Sequence, residues 1–151
     1  MSVAERLAEL GIELPAVPAP VAAYVPAVRT GSYIYTSGQL PFAEGALLHT
    51  GLVGGEVTVE EAFACTRQCA LNALAAVAEQ AGGLEGVRIV KVVGFVASAA
   101  GFTAQPQVVN GASELIGEVL GELGVHARSA GGGAQLPLGA PVEVEVIAVV
   151  P

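Results

Sequence analysis

The stretch Gly124 to Val149, GVHARSAGGGAQLPLGAPVEVEVIAV, decides how this chain is expected to fold. Its second half contains VEVEV, whose valines share one face of a strand while the glutamates share the other. Its first half carries Arg128 and the glycines 131–133, and a Pro/Gly turn at 136–139 joins the halves. We therefore predict a hairpin that brings Arg128, bare glycine backbone and Glu143 together as a small anion-binding pocket.

Composition limits the class of protein. The chain has 151 residues, of which 53% are hydrophobic and 13% charged, and this suits a single domain with a packed core. A net charge of -8 makes nucleic acid an unfavourable partner, because phosphate contacts need clustered Lys and Arg. No apolar run reaches the roughly 20 residues of a membrane span, and MSVAERLAEL lacks the features of a signal peptide. We expect a soluble, cytoplasmic protein with no membrane partner.

The two cysteines, Cys65 and Cys69, lie four residues apart inside a helical pattern. A metal site would need further ligands at suitable spacing, and the neighbouring sequence offers none. We predict two buried thiols and no metal.

Periodicity and capping signals predict an α+β domain in the order β-β-α-β-α-β-β, with both long helices packed on one face of the sheet. Residues 1–17 are expected to form a leader helix region, and residues 18–151 a single domain. Pro18 and Pro20 predict an irregular stretch over Val17 to Ala22. The predicted elements before the C-terminal strands are a helix over Ser2 to Leu10, strands over Ala23 to Val28 and Tyr33 to Ser37 with a turn at Arg29 to Ser32, a helix from Thr58 to Gly82, a strand over Val87 to Ser98, and a helix from Pro106 to Leu123.

The segment Val87 to Ser98 is apolar on both faces. Alternation assigns Val90, Val92 and Val96 to one face, and Ile89, Val93 and Phe95 to the other. A strand of this kind is buried on both sides. Two helices can cover only one side, so the other side is predicted to pack against a second copy of the chain.

Several motifs together resemble the RidA/YjgF family of enamine and imine deaminases, some of which carry the label endoribonuclease L-PSP. The motifs are YIYTSGQLP at 33–41, ARS at 127–129, LP at 136–137 and VEVE at 142–145. The resemblance runs from about Pro18 to the end of the chain. It implies a chorismate mutase-like fold and a homotrimer whose ligand clefts lie between subunits.

The resemblance also implies site residues. Arg128 matches the arginine that holds the substrate carboxylate, a role that suits the planar guanidinium. Glu143 matches the glutamate that positions or activates water, although Glu143 and Glu145 equally fit one solvated strand face. The remaining matches to the family cleft, each of which has a structural alternative, are Tyr24, Ser37, Gly38, Asn110 and the backbone near Ala130. An imine is already electrophilic, so no metal or organic cofactor is expected.

The sequence departs from the family pattern beside the arginine. Ala130 occupies the position where active deaminases of the family commonly carry a cysteine, and the glycines 131–133 replace bulkier residues. His126 is either a second cation beside Arg128, when protonated, or a satisfied strand residue, and the second reading is favoured.

Three functions remain open on the sequence. The first is hydrolysis of reactive 2-imino or 2-enamino acids to 2-oxo acids and ammonia. The second is a non-catalytic trimer that binds a small carboxylate metabolite through Arg128. The third is ribonuclease activity, which the acidic composition and the lack of a closely spaced His pair or a basic groove make the weakest.

Overall fold

The computed structural model describes residues 1–18 and 23–151, and it has the predicted α+β order with a mixed sheet. The sheet runs β1-β2-β7-β5-β6, with β5 and β6 parallel and the other neighbours antiparallel. A separate small hairpin, β3-β4, lies in the loop before the long helices. The elements are α1 Val3–Glu9, β1 Ala27–Thr30, β2 Tyr33–Thr36, β3 Phe42–Ala43, β4 Ala46–Leu47, α2 Val59–Ala81, β5 Arg88–Ala97, α3 Gln105–Leu120, a 3-10 turn Gly121–Gly124, β6 Ala127–Gly133, a 3-10 turn Pro137–Gly139 and β7 Val142–Val149.

The long helices begin and end where local signals predict. The Thr58 side chain accepts from the Glu61 backbone and the Glu61 side chain accepts from the Thr58 backbone, a capping box that starts α2. Gly82 ends α2 with a left-handed φ of 78°. The helix α3 stops at Leu120, three residues before the predicted end, and a 3-10 turn continues to Gly124. Among the described residues, none of the helices combines the length and apolarity that crossing a bilayer requires.

The N-terminal hairpin forms, but its first strand is shorter than predicted. Thr30 pairs with Tyr33, which leaves a two-residue turn with Gly31 at a φ of 59°. The prediction of a strand from Ala23 is wrong, because β1 begins only after Pro26, which cannot donate a ladder hydrogen bond. Of the predicted irregular stretch Val17 to Ala22, positions 19–22 lie outside the described residues.

The core lies between the sheet and the two long helices, with β5 at its centre. A β-bulge between Ile89 and Lys91 puts Ile89, Val92 and Val96 on the helix face, where each is fully buried. The prediction that Val90 shares a face with Val92 is wrong, because the extra residue of a bulge reverses the alternation. On the other face, here called the open face, the described residues of one protomer form no second layer. Tyr33 and Tyr35 are each 46% exposed there, and Phe95 is 37% exposed.

The predicted C-terminal hairpin is wrong. Strands β6 and β7 do not pair with each other, because β5 lies between them and pairs with both. The helix α3 connects β5 to β6 as a crossover, and strands joined in this way pair in parallel. Strand β7 then occupies the opposite side of β5. The Pro/Gly segment at 137–139 is a 3-10 turn inside the connection and not a hairpin turn.

Candidate functional site

Arg128 lies on the edge strand β6 with its side chain against α3. Its register partner on β5 is Val92, whose side chain faces the helices. Arg128 Nη1 donates to Asn110 Oδ1 at 2.7 Å and to Ser113 Oγ at 3.2 Å, and Nη2 donates to the Pro106 carbonyl at 3.4 Å. Asn110 and Ser113 are three residues apart on α3 and therefore share a helix face. The helix thus holds one side of a partly buried guanidinium.

All the acceptors that hold Arg128 are neutral. Among the described residues, no carboxylate oxygen lies within 4.0 Å of its guanidinium. A guanidinium has five N–H groups, and the three contacts to α3 leave the Nε–H and one Nη2–H without a partner in the described part of the chain. Arg128 therefore presents an uncompensated positive charge and two spare donors, an arrangement suited to an anion.

Glu143 lies on β7 on the open face, beside Phe95 in the cross-strand register. Gly38 stands against it so closely that a Cβ at Gly38 would overlap the Glu143 carboxylate. Burial, and secondarily the charge of Glu145, raises the pKa of Glu143. A carboxyl with a raised pKa is a better proton acceptor than an ordinary surface glutamate.

The structure does not bring Arg128 and Glu143 together within one protomer. They lie two strands apart on opposite faces of the sheet, with β5 between them. The predicted pocket on a single hairpin is therefore wrong, because the hairpin does not exist.

The other predicted site residues fall into two groups. Asn110 contacts Arg128, and Ala130 pairs with Gly94 two positions further along β6. Ser37 donates from Oγ to the Val25 carbonyl at 2.6 Å, and this bond holds the segment that carries Tyr24. Tyr24 precedes β1, contrary to its predicted place in the hairpin, and its side chain is 66% exposed.

A groove of about 1110 Å³ lies on the Tyr24 side of the molecule. Its lining includes Tyr24, Gly38, Leu71 and Leu138, but neither Arg128 nor Glu143. Within the described chain, the groove therefore adjoins Gly38 and does not reach Arg128.

Ser113 is a contact of Arg128 that the sequence did not single out for a role. Its hydroxyl lies within hydrogen-bond distance of both Arg128 Nη1 and His126 Nε2. The helical spacing from Asn110 was the available signal. His126 lies just before β6, not within it, and both of its ring nitrogens have hydrogen-bond partners. The expectation of a satisfied histidine is correct, although its partners come from α3 and a turn.

Both cysteines are buried and unpaired, as predicted. Burial, followed by the charge of Glu61, raises the pKa of the Cys65 thiol to about 11, and burial raises the pKa of Cys69 well above its ordinary value. Thiols of this kind stay protonated and unreactive near neutral pH. Across the described ranges, no group of three or more His, Cys, Asp or Glu side chains forms a metal cluster.

Comparison with known proteins agrees with this architecture. Residues 4–149 match the family model described as "YjgF/chorismate_mutase-like, putative endoribonuclease". Protein TCP17 of Trypanosoma cruzi is 46% identical over 147 residues, which cover 96% of this chain and 92% of TCP17.

Two solved structures extend the comparison. Atu1372 from Agrobacterium tumefaciens, a protein of unknown function, is 45% identical and superposes with a TM-score of 0.91 over 99% of this chain and 94% of its own. TdcF from E. coli with bound serine is 26% identical and gives a TM-score of 0.65 over 89% of this chain and 94% of its own. On the evidence of its sheet order, its motifs and these matches, the chain belongs to the YjgF family.

Proposed function

We propose that this protein hydrolyses small 2-imino or 2-enamino acids to 2-oxo acids and ammonia. The observation that carries the proposal is Arg128, a partly buried guanidinium held by neutral oxygens with no carboxylate partner among the described residues. Such an arginine keeps its charge and two donors for a ligand carboxylate. Membership of the YjgF family supports this class of ligand, and so does the serine bound by TdcF, because serine carries an α-carboxylate.

In the proposed reaction Arg128 holds the carboxylate while Glu143 orients a water against C2 of the imine. The water oxygen bonds to C2, and one water proton passes to Glu143 and then to the nitrogen, which gives a carbinolamine. The remaining hydroxyl proton then passes through Glu143 to the nitrogen as C=O forms and the C–N bond breaks, so that ammonia and a 2-oxo acid leave. The raised pKa of Glu143 suits a group that both takes and returns a proton. The C=N carbon is electrophilic without a metal or an organic cofactor.

The site is proposed to be shared between identical subunits. Arg128 and Glu143 of one protomer face opposite sides of the sheet, so the proposed reaction requires a ligand on Arg128 to meet the Glu143 of another copy. One subunit would supply Arg128, Asn110 and Ala130, and its neighbour Glu143 with Tyr24, Ser37 and Gly38. The exposed aromatic side chains of the open face offer apolar surface for that contact, and the family resemblance supports a homotrimer as the proposed assembly. The two free, buried thiols suit a reducing cytoplasm.

The test is to generate 2-iminobutyrate with a dehydratase and time the release of 2-oxobutyrate. The wild type should accelerate release. Arg128→Ala removes two charge-assisted hydrogen bonds and should cost roughly 2–4 kcal/mol of transition-state binding, about 30- to 1000-fold in kcat/KM. Arg29→Ala is the matched control, because Arg29 is exposed on the opposite edge strand and donates to its own turn at Gly31.

Calorimetry with 2-oxobutyrate separates catalysis from binding. Arg128→Ala should lose affinity, whereas Glu143→Gln should bind but not turn over. Binding without turnover in the wild type would contradict the proposed reaction and favour the non-catalytic carboxylate-binding module. Cleavage of single-stranded RNA that Arg128→Ala abolishes would favour the ribonuclease instead. A monomer by sedimentation at assay concentration would rule out the shared site.

A further inference from the structure

A continuous chain of hydrogen bonds connects the 3-10 turn that follows α3 to the guanidinium of Arg128. His126 Nδ1 lies 2.6 Å from the Gly124 carbonyl oxygen, and His126 Nε2 lies 2.9 Å from Ser113 Oγ. Arg128 Nη1 donates to the same Ser113 oxygen at 3.2 Å and to Asn110 Oδ1 at 2.7 Å. Two side chains of α3 thereby converge on one nitrogen of the arginine, and His126 contacts one of them.

The direction of each proton in this chain follows from what each group can do. A carbonyl oxygen only accepts, so the Gly124 carbonyl requires the proton on His126 Nδ1. A neutral imidazole then has a lone pair at Nε2, which accepts the single hydroxyl proton of Ser113. With its proton committed to His126, Ser113 offers a lone pair to Arg128. His126 thus fixes Ser113 as an acceptor.

The backbone at Gly124 packs closely against α3, and this packing positions His126. Gly124 is buried, and a Cβ there would lie 2.6 Å from the Ile116 carbonyl oxygen on α3. The close approach brings the Gly124 carbonyl and the following His126 against the helix. His126 then precedes Arg128 by two residues, so the same turn that ends α3 also sets the start of β6.

We propose that His126 is a positioning residue that acts through Ser113 to hold Arg128. The Nε–H and the spare Nη2–H of Arg128 then meet the carboxylate of a small organic acid. This inference rests on the proposed function for the identity of the ligand. The hydrogen-bond chain itself concerns only the protein, so it can be tested apart from any ligand.

Two substitutions of His126 separate its hydrogen bond to the Gly124 carbonyl from its hydrogen bond with Ser113. An Asn side chain places an N–H near the Nδ1 position and keeps the bond to Gly124, but it does not reach Ser113. A Gln side chain places its oxygen near the Nε2 position and can still accept from Ser113. His126→Asn should therefore raise the Kd for 2-oxobutyrate about 2- to 10-fold, the value of one net hydrogen bond, with a larger effect on KM than on kcat. His126→Gln should recover most of the loss.

A double-mutant cycle tests whether His126 works through Ser113. Ser113→Ala alone should raise Kd at least as much as His126→Asn. The double variant should bind no more weakly than Ser113→Ala, because among the described residues the hydrogen bonds of the His126 side chain lead to Arg128 only through Ser113. Fully additive losses, or an unchanged Kd in His126→Asn when the wild type binds, would overturn the inference.

Nitrogen NMR on protein labelled at arginine supplies the readout without a ligand. Rotation about the Cζ–Nη1 bond of Arg128 should be slow in the wild type and in His126→Gln, and faster in His126→Asn. Arg128→Lys identifies the resonance among the five arginines. Equal rotation rates in wild type and His126→Asn would contradict the positioning role. A wild type that shows slow rotation but binds no 2-oxo acid would contradict the proposed function alone.

Discussion

Gly94 sets how closely α3 lies on the sheet, and its replacement tests what holds the candidate site in place. It lies within β5 and pairs with Ala130 on one side and Val144 on the other. A Cβ at Gly94 would lie 2.6 and 2.7 Å from the two γ-methyl groups of Val109 on α3, whereas ordinary contacts are 3.4–4 Å. Gly94→Ala must therefore move α3 outward by about 1 Å or force Val109 off its rotamer.

The cost follows from the packing. An extra methyl group in a filled core typically lowers the free energy of unfolding by about 1–3 kcal/mol. In a domain of this size each kcal/mol corresponds to about 2–4 °C, so Gly94→Ala should melt roughly 2–12 °C below the wild type. Asn110 directly follows Val109 and holds Arg128 at 2.7 Å. The same outward shift should weaken that bond and reduce affinity for 2-oxobutyrate about 2- to 10-fold.

Thermal unfolding followed by circular dichroism measures the first effect. Gly117→Ala is the matched control on the same helix, since a Cβ there meets no atom of the described residues within 4 Å. It should raise stability by roughly 0.5–1 kcal/mol, because alanine favours helix over glycine. Adding Val109→Ala to Gly94→Ala removes the overlapping methyl groups, so the double variant should lose less than the sum of the single losses. If Gly94→Ala melts at the wild-type temperature, or if the stability losses of Gly94→Ala and Val109→Ala are strictly additive, the close approach of α3 to Gly94 is refuted.

Three further predictions concern titration, space and reactivity. Glu143 has a raised pKa in the folded protein, so its contribution to stability is fully present below the ordinary glutamate pKa and is lost as pH rises through the raised value. Glu143→Gln should therefore increase Tm more at pH 7 than at pH 4, and an equal or opposite change in thermal melts would contradict the raised pKa of this half-buried carboxyl. Gly38→Ala should displace the Glu143 carboxylate and reduce kcat about 10- to 100-fold, with little change in calorimetric affinity for 2-oxobutyrate; unaltered kcat would refute the contact. Cys65 and Cys69 should react with iodoacetamide at pH 7.5 at least about 100-fold more slowly in native than in unfolded protein, and rapid native alkylation would disprove their burial.

Local signals predicted the helices well because a helix end depends on residues a few positions apart. The capping box of Thr58 and Glu61 and the stop at Gly82 both lie within one turn of the backbone they satisfy. The strand β1 and the faces of β5 were less predictable. A bulge at Val90 depends on the neighbouring strand, and no spacing within β5 reveals it.

The candidate site was likewise predictable only in part from the sequence. The family motifs indicated Arg128, Glu143 and Asn110, whereas Ser113 was not singled out although it shares a helix face with Asn110. The hydrogen bond between Ser113 and His126 joins residues 13 positions apart on different elements, so nothing in the local pattern specified it.

The sequence by itself determined the order of helices and strands and the acidic net charge, and it supplied Arg128 and Glu143 as candidate site residues. Only the tertiary structure decided that β5 separates β6 from β7, and therefore that Arg128 faces α3 while Glu143 faces the opposite side. The physical reason is that cross-strand contacts decide which strands pair and which face each side chain occupies. These contacts join residues far apart in the chain, so local periodicity does not encode them.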